Sequence, residues 1–165
     1  MSIAIRNMSQ QAYEAFYRWS VEQHTAELME QKGISREEAI KEASKELSGM
    51  LPDGLQTERN YLMSIVSGEK SIGYIWTLHE ETEGKKQSFL CDFAIWEEYR
   101  RKGYGAQALR LMEEDAAQAG CVESVLFVAD RNAEARMLYE KCGYRVLRQA
   151  GYGKYMIKEL KTDLG

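Results

Sequence analysis

The chain has 165 residues, 44% of them hydrophobic and 29% charged, with 10 Tyr and 3 Trp. That length fits one domain, expected to bury roughly 70% of the surface that the unfolded chain exposes. A net charge of −4 argues against general affinity for nucleic acid or acidic membranes, and no stretch approaches the roughly 18 apolar residues of a membrane span. Cys91, Cys121 and Cys142 fit neither a disulfide framework nor a metal-ligand spacing. The opening MSIAIRNMSQQ lacks an apolar leader, so a reducing, cytoplasmic setting is expected.

In chain order, residues 3–5 (IAI) read as a short first strand. From Ser9, the residues Tyr13, Phe16, Tyr17, Val21 and Leu28 fall at helical spacing, and Gly33 breaks the pattern. Ser35 opens a second helix, with Glu38 three residues on to complete a capping box and Ala39, Ile40, Ala43 and Leu47 as its buried stripe. LPDGLQT, which holds the single proline Pro52, reads as a loop. YLMSIV (61–66) and SIGYIWTLHE (71–80) read as strands joined by a Ser-Gly-Glu-Lys turn, with Ile72, Tyr74, Trp76 and Leu78 on one face. EETEGKKQ reads as a polar turn and SFLCDFAI (88–95) as the next strand.

Ala108, Leu111, Met112, Ala116 and Ala119 then mark a helix that Gly120 ends. VESVLFVA (122–129) is a nearly continuous apolar run, as expected of a strand covered on both faces. NAEARMLYEKCG (132–143) starts at Asn and stops at Gly, a short helix, and YRVLRQ and YGKYMIKEL close the chain as two strands. The order β-α-α-β-β-β-α-β-α-β-β describes one mixed α/β domain over residues 1–165.

The chemistry concentrates in EEYRRKGYGAQALRLM, residues 97–112. Three cations, Arg100, Arg101 and Lys102, precede Gly103-Tyr104-Gly105 and the start of a helix near Tyr104. The first turn of a helix offers unpaired N–H groups and the positive end of its dipole. Glycines there let an anion reach the backbone, and Arg adds bidentate geometry, so a pyrophosphate is the natural ligand. A Walker A loop is excluded, since Gly105 is followed by Ala-Gln-Ala rather than Lys-Ser/Thr. Gly103-x-Gly105-x-x-Ala108 fits a relaxed dinucleotide fingerprint, but Glu-Glu-Tyr-Arg-Arg-Lys separates it from its strand. A solvated basic turn before an amphipathic helix is the structural alternative. Further on, Asn132 and Tyr139 lie seven residues apart, within about 20° on one helix face and roughly 10 Å along it. Each also has a structural reading, Asn132 as an N-cap and Tyr139 as a core aromatic.

Arg100-Arg101-Lys102-Gly103-Tyr104-Gly105 matches the loop Arg/Gln-x-x-Gly-x-Gly/Ala. FVADRNAEARMLYEKCGY follows with the pattern Asn-x-x-Ala-x-x-x-Tyr-x-x-x-Gly-Tyr. In this order and spacing, across residues 89–144, the sequence resembles the GNAT superfamily of acyl-CoA-dependent N-acyltransferases. The resemblance implies a central, mostly antiparallel twisted sheet with two splayed parallel strands, flanked by helices. It implies acetyl-CoA as co-substrate, lying between the strands at 90–95 and 122–129, and no metal. The backbone of Phe93, Ala94 and Ile95 would pair with the pantetheine and polarise the thioester carbonyl. Residues 101–106, from Arg101 through Gly103, Tyr104 and Gly105 to Ala106, would hold the pyrophosphate, with Arg100 and Lys102 adding charge. Asn132 would bond the arm, and Tyr139 would protonate the departing thiolate.

An amine acceptor must attack unprotonated, which costs about 4–5 kcal/mol at pH 7 for a lysine-like amine. Asp92, inside the strand beside the acyl site, is the candidate base; by alternation it shares a face with Ala94 and opposes Phe93 unless a bulge intervenes. It reads equally as an ion-paired or hydrogen-bonded strand carboxylate. His79, Glu80 and Glu81 end the preceding strand, where charges are usually solvated. By the same resemblance the two first helices wall the acceptor groove, and the acceptor is a small-molecule or peptide amine. The last two strands offer an edge for a homodimer. Two other readings follow from the same residues: a non-catalytic module that binds or senses CoA, and a dinucleotide-binding oxidoreductase.

Overall fold

The computed structural model describes residues 2–161. Contacts divide the chain into two compact units, one of residues 8–60 and one joining residues up to 7 with those from 61 onward. The first is a pair of helices, α1 (Gln10–Lys32) and α2 (Arg36–Met50). Each begins at a serine whose hydroxyl accepts a first-turn N–H, Ser9 from Ala12 at 3.0 Å and Ser35 from Glu38 at 3.2 Å, as local sequence demands. Leu28 of α1 meets Ala39 and Ala43 of α2 in a buried seam, where the small alanines allow close approach. His24–Glu46, Lys32–Glu42 and Arg36–Glu22 pair across the helices. Being exposed, each contributes little.

The other unit is a seven-stranded sheet with two helices. Its strands are β1 (Ala4–Asn7), β2 (Asn60–Ser67), β3 (Lys70–Thr82), β4 (Lys85–Ile95), β5 (Glu123–Ala129), β6 (Arg145–Ala150) and β7 (Gly153–Glu159), in spatial order β1-β2-β3-β4-β5-β7-β6. Helix α3 (Tyr104–Gln118) connects β4 to β5, and α4 (Ala133–Lys141) follows β5. The β1–β2, β3–β4, β5–β7 and β6–β7 pairs are antiparallel, while β4–β5 is parallel. A parallel pair needs a long crossover, which α3 supplies. The sheet is therefore mixed and mostly antiparallel, not the parallel array of a doubly wound dinucleotide fold.

One face of the sheet packs on the helices. Ile75, Leu90, Leu126 and Met156 from four strands close a core with Ala108, Leu109 and Met112 of α3 and with Tyr139 and Tyr144. The opposite face of β5 is only partly covered, since Phe127 is half-buried; the apolar run of β5 does not mean full cover on both sides. The predicted eight-residue turn between β3 and β4 is also tighter than its composition implies. The strands run to Thr82 and from Lys85, joined by Glu83 (φ 54°) and Gly84 (φ 79°), a two-residue left-handed connection of the hairpin type. The polar residues 80–87 are thus mostly exposed hairpin ends.

Two irregularities of β4 shape the sheet. Thr77 pairs with Leu90 and Trp76 with Asp92, so Cys91 is an extra residue opposite β3, a β-bulge. On its other side β4 keeps only four pairs with β5, from Gln87↔Glu123 to Leu90↔Leu126. Past Leu90 and Leu126 the two strands part.

His79 does not end β3 in solvent as its neighbours' polarity implies. It is buried, its ring lies 4.3 Å from that of Tyr61, and its Nδ1 has no hydrogen-bond partner. Burial first, and then the nearby Lys86 charge, hold its pKa below the ordinary value. A histidine kept neutral in the fold binds protons more weakly there than in the unfolded chain, so its stabilising effect is lost as pH falls below about 6.5. The urea unfolding midpoint should therefore drop between about pH 7 and pH 5, and drop less in His79→Leu. Equal losses in the two proteins would assign the acid sensitivity elsewhere.

Candidate active site

The parting of β4 from β5 opens a cleft of about 820 Å³ on the helix-covered face, within the size range of small-molecule sites. Its walls come from the end of β4, the loop into α3, the first three turns of α3, the facing side of α4 and Lys158 of β7. Of the residues singled out from sequence, Phe93, Ala94, Ile95, Arg100, Arg101, Gly103, Tyr104, Gly105, Ala106, Asn132 and Tyr139 all line it. Lys102 is exposed and Asp92 is half-buried beside it; neither is part of the lining.

The β4 wall presents backbone. Trp96 donates its N–H to the Ile72 carbonyl at 2.9 Å, toward β3. Alternation along an antiparallel strand then turns the N–H groups of Phe93 and Ile95 the other way, toward the side that β5 has left. The Phe93 N–H is taken by Asp92 Oδ1 at 2.9 Å. The three amides of this stretch therefore differ in direction and in engagement. Ile95 is the outward amide with no partner taken from its own strand's side chains.

The loop into α3 is shaped by two left-handed residues, Arg101 (φ 64°) and Gly103 (φ 82°). Such curled backbone is concave and lined by N–H groups. The left-handed angle at Gly103 is what glycine supplies there. Gly105 serves differently: a Cβ at that position would come within 3.2 Å of Leu138 on α4, so its bareness lets the start of α3 approach α4. Arg100 is structural at this point, since its Nε donates to the Ile95 carbonyl at 2.8 Å and ties the loop to the end of β4. The helix start itself is bare. Side chains cap α1, α2 and α4, the last through Asn132 Oδ1, which accepts from Ala135 N–H at 3.2 Å; α3 has no side-chain cap. Its first-turn N–H groups and dipole face the cleft with no internal acceptor.

The α4 wall carries Tyr139, buried, with its ring edge-on to Tyr144 at 5.9 Å. Burial chiefly, with the charge of Asp92 and the Cys142 thiol adding to it, pushes the phenol up to about 12. Asp92 thus acts electrically on Tyr139 from across the opening. Register places it on the opposite face of the sheet with Trp76, while Phe93 pairs with Ile75 on the helix-covered face. Its Oδ2 accepts from the Tyr74 hydroxyl at 2.7 Å. Both readings of Asp92 remain compatible with these bonds.

Several lining residues were not singled out from sequence. Arg110 on the second turn of α3, Lys141 at the end of α4 and Lys158 on β7 all face the cleft. Lys158 is committed to Glu113 at 2.6 Å, and Tyr144 donates to the same carboxylate at 3.2 Å while sharing a 2.7 Å bond with Ser124. Periodicity could have flagged Arg110, seven residues after Gly103. Lys158 and Glu113 meet only through the fold. Among the described residues, no group of three or more His, Cys, Asp or Glu is arranged to hold a metal ion.

The sequence profile of the acetyltransferase (GNAT) family matches residues 11–144. The chain is 29% identical to the uncharacterized N-acetyltransferase YycN of Bacillus subtilis over 88% of this chain and 94% of that one. With YdgE of the same organism, also an uncharacterized N-acetyltransferase, it shares 26% over 87% and 92%. The crystal structure of YycN superposes with a TM-score of 0.82 at 25% identity, covering 90% of this chain and 96% of that one. The PaiA N-acetyltransferase of Thermoplasma acidophilum, crystallised with coenzyme A, has the same fold at 22% identity, with a TM-score of 0.71 over 96% and 99%.

The environment of each of the three thiols disfavours its thiolate. Burial, then Asp92 and Glu80, push Cys91 up to about 12, and burial also raises Cys121 and Cys142. Only Cys142 lines the cleft. Iodoacetamide at mildly alkaline pH should label Cys142 slowly in the native protein and spare Cys91 and Cys121, whereas all three should react in urea; peptide mass spectrometry reads the sites. Early labelling of Cys91 would mean that the bulge opens readily.

Proposed function

The chain belongs to the acetyltransferase (GNAT) family and is an acyltransferase, and we propose that it moves an acetyl group from acetyl-CoA to a primary amine by direct attack while both substrates are bound. The observation that carries this reading is the junction of an uncapped helix start with the fork between β4 and β5. One binds phosphate and the other admits an extended amide-bearing chain.

The residues present fit coenzyme A. Its pyrophosphate suits the first-turn N–H groups of Tyr104, Gly105 and Ala106, with Arg101 and Arg110 supplying charge. The pantetheine amides suit the outward backbone groups of Phe93 and Ile95, on either side of Ala94, which β5 no longer pairs. Asn132, engaged as a helix cap through its oxygen, still has its amide N–H₂ to offer the arm. When bound, acetyl-CoA supplies an acyl group activated as a thioester. The Ile95 N–H is the backbone donor we assign to the acyl oxygen, an oxyanion-hole role.

Tyr139 remains a neutral phenol throughout the physiological range, because its pKa lies near 12. The burial that raises the phenol also makes a thiolate departing beside it more basic, so Tyr139 is placed to donate a hydrogen bond, and with it the proton, to the departing sulfur. Asp92, on the far face of the fork, is the carboxylate we assign to the proton of the incoming amine, directly or through water.

Two experiments test the reading. Tyr139→Phe should lower kcat by roughly 10–100-fold, the worth of one hydrogen bond to a charged group, while leaving the Kd for acetyl-CoA unchanged. Since Tyr139 does not ionise until about pH 12, kcat/KM in the parent should rise with pH as the acceptor amine deprotonates and show no falling limb from this residue below pH 10. An unchanged rate in Tyr139→Phe would remove it from the mechanism. Separately, Ala106→Asp puts a carboxylate in the first turn of α3, where it helps the helix by about 0.3–1 kcal/mol but competes with phosphate. Calorimetry should find acetyl-CoA binding weakened at least about tenfold in a protein no less stable. Retained affinity would show that the loop binds something else.

A further inference from the structure

Phe127 is the first residue of β5 beyond its last pair with β4, Leu126↔Leu90. Leu126 belongs to the core under the helices, so alternation sends Phe127 to the opposite face, the one that carries Asp92. There it stands in a group of rings. Tyr155, its cross-strand partner on β7, lies 5.1 Å away at 62°, and Tyr152 in the β6–β7 turn lies 5.3 Å away at 80°. Phe89 of β4 extends the group, 6.4 Å from Tyr155.

This half-exposed aromatic group is held rigidly. The Phe127 ring rests on the backbone of Gly153, where an added Cβ would meet Phe127 Cζ at 2.4 Å and the Val128 carbonyl at 2.5 Å. Asp130 N–H donates to the Tyr152 carbonyl at 2.9 Å, fixing the turn to the end of β5. A ring placed only for stability would gain most from full burial, yet Tyr152 is 72% exposed and Phe127 half-buried. Pinned aromatic faces open to solvent are what a binding wall requires.

Charge narrows the ligand. Arg148 lies over the Tyr155 ring at 4.4 Å, and Asp130 is already bonded to Lys154 at 2.6 Å and to Gln149 at 2.8 Å. The rings therefore have a cation beside them, and the acid that shares their face, Asp92, is the one assigned above to the reacting amine itself. A second positive charge on the acceptor would be repelled here, whereas an apolar or aromatic group next to the reacting amine would be welcomed. We infer that Phe127, Tyr155, Tyr152 and Phe89 form an acceptor subsite that selects a monoamine carrying an aromatic or bulky apolar group over a polyamine. The inference rests on the transfer reaction proposed above and adds the acceptor class to it.

The test uses the full chain, acetyl-CoA and three amines, phenethylamine, ethylamine and spermidine, with CoA release followed by a thiol reagent and acetyl-CoA affinity by calorimetry. Phenethylamine should exceed ethylamine in kcat/KM by roughly 10–100-fold, the range that an apolar group in a pocket confers, and should exceed spermidine as well. Phe127→Ala and Tyr152→Ala should each cut that preference by about tenfold through KM for the amine, with the Kd for acetyl-CoA unchanged. Tyr152 is so exposed that its variant tests the subsite even if Phe127→Ala folds poorly. Tight acetyl-CoA binding with equal rates for the three amines, with a preference for spermidine, or with the phenethylamine preference intact in both variants, overturns the subsite and leaves the transfer reading standing. Failure of the parent to bind acetyl-CoA overturns both.

Discussion

Everything in the cleft depends on one break in hydrogen bonding. Parallel strands in the middle of a sheet normally pair along their whole length, because an unpaired backbone group costs free energy unless something else satisfies it. Here β4 and β5 stop pairing at Leu90 and Leu126. The extra residue at Cys91 falls at the same level, and a bulge bends and twists the strand that carries it. Toward β3 the contact is tight instead: a Cβ on Gly73 would stand only 2.1 Å from the Ala94 carbonyl. The end of β4 thus follows β3 and leaves β5, and its outward amides become available to a ligand.

The same break settles where the loop into α3 lies. Since α3 must carry the chain from β4 to a parallel neighbour, its N-terminus starts near the end of β4, beside the fork. Arg100 fastens the loop to Ile95, Gly103 turns it, and Gly105 admits Leu138 of α4 to close contact. Strand end, helix start and the α4 face with Tyr139 are therefore parts of one construction. Moving any of them would open or fill the cleft.

Much of this was legible in the sequence, for physical reasons. Amphipathic spacing and serine or asparagine caps are local, so α1, α2 and α4 begin within a residue or two of where Ser9, Ser35 and Asn132 place them. The loop Arg100 to Gly105 stood out because its cations and glycines are contiguous, and all of it but Lys102 lines the cleft. What could not be read is non-local. The bulge at Cys91 depends on how β3 and β4 register, the burial of His79 depends on Tyr61, and the Glu113–Lys158 pair joins residues that only the fold brings together. Gly105 shows a subtler limit: beyond the bare backbone that the sequence suggests there, an added Cβ would crowd Leu138 on another helix, a packing requirement that only the fold reveals. The hairpin between β3 and β4 failed in the opposite way, because polar composition at exposed strand ends imitates a long turn.

The thiols bear on how acyl transfer can proceed. An acyl-enzyme route needs a nucleophile activated by a lowered pKa or an adjacent base. Cys142 is the one cysteine that lines the cleft, and burial raises rather than lowers it, with Glu113 adding to the effect. Cys91 sits at the bulge beside the opening but is pushed up to about 12, by burial first and then by the charges of Asp92 and Glu80. Burial thus does most to keep these thiols protonated, and the Asp92 carboxylate adds to it at the bulge. Neither cysteine beside the fork has the lowered pKa that a covalent route would need, and this absence of an activated thiol is the electrostatic support for the direct attack proposed above.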